Sequence, residues 1–261
     1  MAKSVKKIGL LGPYGYGNLG DAAIQQAMIQ HIRCYHPDAE VYGFSLNPRD
    51  TERRHGIPSY SISREFETPE WVKRHVPQKV RDNSVVRWLV RIAVKLPAEF
   101  VLTAKAIRAL RGFDLLIVSG GGQLDDYWGG PWWHPYTLLK FAVIARLAKI
   151  EYVFVSVGAG PLDASLSRFF VRKALSLASY RSYRDEDSKR FIQRIGFAND
   201  NDPVYPDLAY SLQAAESQNA QVQTRERRVV GIGPMTYFDP RIWPERDRSI
   251  YLNYLNKLAA F

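Results

Sequence analysis

The chain has a single cysteine, Cys34, among its 261 residues. That excludes an internal disulfide and any cysteine-based metal cluster. It has no run of about 18 consecutive apolar residues, so nothing in it reads as a membrane span. Met1 to Lys7 is basic, but the apolar stretch behind it is too short and too glycine-rich for a secretory leader. Acids are the scarcer charge, with 26 Asp and Glu against 36 Lys and Arg, for a formal net charge of +10. Such an excess favours acidic partners (phosphorylated metabolites, anionic lipid, nucleic acid) without choosing among them. The cations are spread along the chain and neither an RNP-type nor a zinc motif occurs, which disfavours a nucleic-acid binder. The chain thus reads as a cytoplasmic globular protein whose 46% hydrophobic content can bury one large core or two smaller ones.

Glycine, by contrast, is concentrated where it has a use. Ile8 to Leu11 reads as a buried strand, Gly12 to Asp21 as a turn, and Ala22 to Arg33 as a helix with Ile24, Met28 and Ile32 on one face. Within the turn, Gly15-Tyr16-Gly17-Asn18-Leu19-Gly20-Asp21 permits positive φ and brings the free N–H groups of a helix start to a ligand. Gly15 to Gly20 also satisfies G-x-G-x-x-G, the dinucleotide fingerprint. The context for it is incomplete, because the next strand, Glu40 to Phe44, carries no acid at its tip and Asp50 lies beyond Pro48 in a loop. The bland alternative is that the glycines only close a tight turn.

From Arg49 to Asn83 the periodicity lapses, apart from a short strand near Tyr60 to Ser63. Residues 84–111 read as a basic amphipathic helix pair interrupted at Pro97. Such a pair either rests on an anionic membrane or covers the sheet with its cations in water. A second buried strand, Asp114 to Ser119, ends in Gly120-Gly121-Gly122, followed by Asp125, Asp126 and the aromatic stretch Tyr127 to His134. Aromatic faces beside acids suit sugars; an aromatic plug under the loop is the alternative. Helix Pro135 to Lys149, strand Tyr152 to Val157 ending in Gly158-Ala159-Gly160-Pro161, helix Ala164 to Ser179, strand Tyr180 to Tyr183 and a helix to Ile195 continue the alternation. This predicts an α/β fold with a doubly wound parallel sheet. Asp185 to Asp187 suit a helix start, whereas Arg184 stands at a strand tip and can grip an anion. Tyr205 to Ala209 looks like a last strand-to-helix step. A polar, glutamine-rich stretch follows, and 228–233 and 246–261 read as one further strand and helix. The expected organisation is a domain over 1–212, a linker over 213–227 and the truncated start of a second similar domain over 228–261.

Taken in order, Gly17-Asn18-Leu19-Gly20-Asp21-Ala22, Ser119-Gly120-Gly121-Gly122, Val157-Gly158-Ala159-Gly160-Pro161-Leu162, Tyr183-Arg184-Asp185 with Ser188, and Pro206-Asp207-Leu208-Ala209 resemble the polysaccharide pyruvyl transferases. The resemblance implies two Rossmann-like halves of glycosyltransferase B type. It also implies transfer of a pyruvyl group from phosphoenolpyruvate onto two hydroxyls of one sugar as a cyclic ketal. Ser119 stands where a fourth glycine is common, and the family's Arg- and His-bearing donor motif has no counterpart here, so the fragment alone is expected to be inactive. On this reading Arg184 meets the donor, while Asn18, Gly20, Asp21, Gly121, Gly122, Gly158 and Gly160 line the substrate site. Asp125, Asp126 and His134 are candidates for acceptor binding or base work. No metal or cofactor is expected, phosphoenolpyruvate being a co-substrate and the acceptor a saccharide, free or lipid-linked. The competing functions are a nucleotide-sugar glycosyltransferase of similar fold and a non-catalytic sugar-binding fragment.

Overall fold

The computed structural model describes residues 6–15, 17–62, 99–127, 129–213 and 247–260. The chain divides into two compact units, Met1–Ala214 and Ala215–Phe261. The first is built on six strands: β1 (Lys7–Leu11), β2 (Glu40–Ser45), β3 (Ser59–Ser61), β4 (Leu115–Ser119), β5 (Glu151–Val157) and β6 (Tyr180–Tyr183). All neighbours are parallel, in the order β3-β2-β1-β4-β5-β6. The fold is therefore α/β and Rossmann-like, and the strand order reverses between β1 and β4.

The helices are α1 (Leu19–Tyr35), α2 (Pro48–His55), α3 (residues 99–110), α4 (His134–Ala148), α5 (Ser165–Leu177) and α6 (Glu186–Arg194), with a 3₁₀ turn at Leu208–Ser211. The apolar strands are buried on both faces, and alternate residues feed two cores. Leu116, Val118, Tyr152 and Phe154 pack with Leu110 of α3, Phe141 of α4 and Val171 of α5. Ile117 and Val153 pack on the opposite side with Ile8, Leu10 and the α1 residues Met28, Ile29 and Ile32.

Short polar side chains start these helices. Asn18 Oδ1 accepts from Gly20 N at 2.9 Å, so α1 begins at Leu19, three residues before the expected start. Asn47 caps α2 and Asp185 caps α6. The 3₁₀ turn, capped by Asp207, replaces the helix expected after Pro206. The presence of α2 corrects the expectation of an irregular 49–83. There Asp50 lies in the first helical turn, bound by Arg53 at 2.6 Å and Arg54 at 2.8 Å. Residues 63–98, including the first of the two expected basic helices, and the expected strand 228–233 lie outside the described residues. In the second unit, helix α7 (Arg248–Ala259) starts from Asp247, which accepts from Ser249 N at 2.8 Å. Among the described residues no helix is long and apolar enough to cross a membrane.

A candidate site at the carboxyl edge of the sheet

The loops that follow β1, β4, β5 and β6 are stitched to one another at one edge of the sheet. Gly158 N donates to Gly121 O at 2.7 Å, Leu124 N to Gly158 O at 3.1 Å, and Gly160 N to Leu124 O at 3.0 Å. Arg184 N donates to Val157 O at 3.1 Å. Under this rim Tyr14 is fully buried, its hydroxyl 2.7 Å from Ser119 Oγ and donating to Ser119 O. Burial pushes the Tyr14 hydroxyl above its usual range, so it stays a neutral pin between the first two loops. A bulge in β5 puts Ser156 at φ 50 just before Gly158, re-aiming the strand end as bulges beside sites do.

Glycine is required here by close approach as well as by backbone angle. Gly121 has φ 67, and a Cβ on it would lie 3.5 Å from Asp21 Oδ1, which brings the β4 loop against the first turn of α1. A Cβ on Gly158 would overlap Arg184 Nε and lie 2.6 Å from Cζ, so the Arg184 side chain lies against that glycine. A Cβ on Gly160 would stand 3.1 Å from Asp125 Cβ, and one on Gly122 would stand 3.4 Å from Asp125 Oδ2. The Asn18, Gly121 and Arg184 segments therefore share one rim, which runs from the point where the strand order reverses, between β1 and β4, to the end of β6.

The charged groups on this rim differ in their state. Arg184 Nε donates to Asp185 Oδ2 at 3.2 Å, and its Nη1 is 3.7 Å from Asp207 Oδ2. Its side chain keeps 38% of its surface exposed. Asp21 is half-buried; burial raises its pKa, Asn18 opposes the rise, and the Asp207 charge adds to it. Asp125 is pushed up to about 6, first by burial and then by the charges of Asp126 and Asp21, against a lowering hydrogen bond from Tyr127 N and the attraction of Arg184. A carboxylate titrating near neutrality, with a cation within electrostatic reach, is suited to accepting a hydroxyl proton.

The other acid-base candidates are engaged in the protein. Asp126 accepts from Asp163 N at 3.3 Å and Ala164 N at 3.1 Å, holding the backbone just ahead of α5. His134 is buried, its Nε2 is 2.9 Å from Gln123 Oε1, and burial lowers its pKa to about 4. It is thus a neutral ring at the start of α4 that positions the β4 loop. The Trp132 ring lies 5.7 Å from Tyr136 and 5.5 Å from Phe170, residues of α4 and α5. Asp207 was legible as part of a motif but carried no assigned role, and the Tyr14–Ser119 pairing spans 105 residues of sequence, which no local signal reports. Among the described residues no group of three or more His, Cys, Asp or Glu is placed to hold a metal ion.

A family model described as polysaccharide pyruvyl transferase matches residues 18–259. No curated protein matches the chain. A solved structure from Anabaena, Alr3699/HepE in complex with UDP, matches at 16% identity with a TM-score of 0.41, covering 77% of this chain and 44% of that one. The chain thus spans less than half the length of that relative.

Proposed function

The chain belongs to the polysaccharide pyruvyl transferase family, and on that premise we propose that it forms the acceptor-side half of an enzyme transferring pyruvate from phosphoenolpyruvate to a saccharide as a cyclic ketal. The observation that carries this reading is the convergence of Arg184 with Asp125 and Asp21 on one rim at the carboxyl edge of the sheet, a cation within electrostatic reach of a carboxylate that titrates near neutrality. In the reaction the methylene carbon of the enol takes a proton and the neighbouring carbon becomes oxocarbenium-like. A sugar hydroxyl attacks that carbon and loses its proton. Phosphate then leaves as the second hydroxyl closes the ring, and the departing phosphate takes up that hydroxyl's proton. Arg184 attracts the donor's carboxylate or phosphate, with part of its guanidinium still open to solvent between Asp185 and Asp207. Asp125, ionised above about pH 6, takes the hydroxyl proton. Asn18 and Asp21 orient acceptor hydroxyls at the glycine-lined first loop, and Gly20, Gly121, Gly122, Gly158 and Gly160 let the saccharide approach the backbone.

The test is a transfer assay on the full-length protein with phosphoenolpyruvate and a saccharide acceptor, following phosphate release and the ketal methyl signal by NMR. Arg184→Ala should raise the donor KM or lower kcat by at least about tenfold, as loss of a charge-assisted contact requires. Unchanged kinetics would reject the role of Arg184. Turnover of a nucleotide sugar with none of phosphoenolpyruvate would reject the reaction itself.

A further inference from the structure

The helix before α4, α4 itself and the helix after it are of one electrical character. α4 and α5 contain no Asp or Glu at all, and α3 contains only Glu99, whose carboxylate is 2.8 Å from Lys140 Nζ. That ion pair seats α3 beside α4, and α4 packs along α5. The inward faces of the three helices share one core, with Leu110, Phe141 and Val171 buried together. Their remaining faces should be polar, as on an ordinary surface helix. Instead Phe100 is 76% exposed, Leu147 78% and Trp132 68%, with Ile107, Leu166 and Phe169 also exposed. Interleaved with them in the chain are the exposed cations Lys105, Arg108, Arg146 and Lys173, together with Arg168, which donates to Leu162 O at 2.8 Å and Asp163 O at 3.0 Å. Large apolar side chains scattered singly are normal; this many on one helix layer, interleaved with one sign of charge, mark a docking surface.

We propose that the outer face of the α3–α4–α5 layer docks on an anionic bilayer. The charge pattern selects this occupant: Lys and Arg reach lipid phosphate while their stems lie beside Phe100 and Phe169, and a tryptophan such as Trp132 suits the headgroup boundary. A protein partner needs some complementary acid or polar pattern to fix its register, and this layer offers a single acid already engaged. The reading does not depend on the transfer reaction. It extends one of the two readings of 84–111, a pair of helices resting on an anionic membrane, from α3 to a surface centred on α4 and α5.

The experiment is co-sedimentation of the full chain with vesicles of phosphatidylcholine alone and of phosphatidylcholine with phosphatidylglycerol. Partition into the anionic vesicles should exceed that into neutral ones by at least about tenfold and fall as salt rises. The pairs Leu147→Ser with Phe169→Ser, and Lys105→Glu with Lys173→Glu, should each lower anionic partition by about tenfold or more while the melting temperature stays put, since all four side chains are exposed. Equal binding to both vesicle types, or full binding by both variants, overturns the proposal. So does a concentration-dependent dimer in sedimentation velocity that the Leu147→Ser, Phe169→Ser variant abolishes, because a second copy would then cover the face.

Discussion

Asp125 shows how a single side chain links stability to function. Its pKa in the fold, about 6, lies above the ordinary 3.8 because burial disfavours the carboxylate. Between about pH 4 and 6 the folded chain therefore keeps a proton that the unfolded chain has lost. The stabilisation this gives is complete below pH 4 and disappears as pH rises through 6, so at neutral pH an ionised Asp125 is a net cost. Asp125→Asn should accordingly gain about 1–2 kcal/mol at pH 7.5, after allowance for partial exposure, and almost nothing at pH 4. The same variant should lose at least about tenfold in turnover. Thermal melts at both pH values check the first part; equal melting shifts at pH 4 and 7.5 would show that the carboxylate is not desolvated. The sequence placed Asp125 on the rim with Asp126 and His134 but could not rank them. Rank depends on what each side chain meets across the fold: Asp126 meets the start of α5 and His134 meets Gln123.

At the scale of elements, the strands were readable and one helix was not. β1, β4 and β5 are continuous apolar runs because both faces are covered, and that composition is visible in the chain itself. α2 reads Pro-Arg-Asp-Thr-Glu-Arg-Arg-His and buries only Asp50 and Thr51, so it has no apolar stripe to detect; a cap, a leading proline and i,i+4 charge pairing hold it instead. The glycine loops were expected to line the substrate site, and the structure adds which glycine meets which side chain. Gly158 has no positive φ, so alanine there strains no backbone; the nearest atoms its methyl would meet belong to the Arg184 side chain. Gly158→Ala should therefore displace the guanidinium and raise the donor KM by about tenfold or more, while the melting temperature moves by no more than a few degrees. Wild-type kinetics in that variant would mean that the position of Arg184 over the β5 loop is immaterial to donor binding.

For the whole molecule, the alternation of strand and helix announced the class of fold, whereas the strand order and the place of its reversal arise from long-range pairing that no local pattern encodes. The same distinction governs the domain boundary. Unit Met1–Ala214 holds both cores, all six strands and the whole rim from Tyr14 to Asp207. Its end is tied down as well, since Gln30 Nε2 donates to Gln213 O at 2.9 Å and Gln213 N donates to Gln30 Oε1 at 3.0 Å, closing the last turn onto α1. A unit of this size with its own cores should fold alone. A chain ending at Ala214 is expected to unfold in one cooperative transition, with a melting temperature within about 5 °C of the 261-residue chain, about 2 kcal/mol for a domain of this length. Far-UV circular dichroism and calorimetry of the two chains measure this directly. A shortened chain that lost its cooperative transition would place part of the folding core beyond Ala214 and move the domain boundary with it.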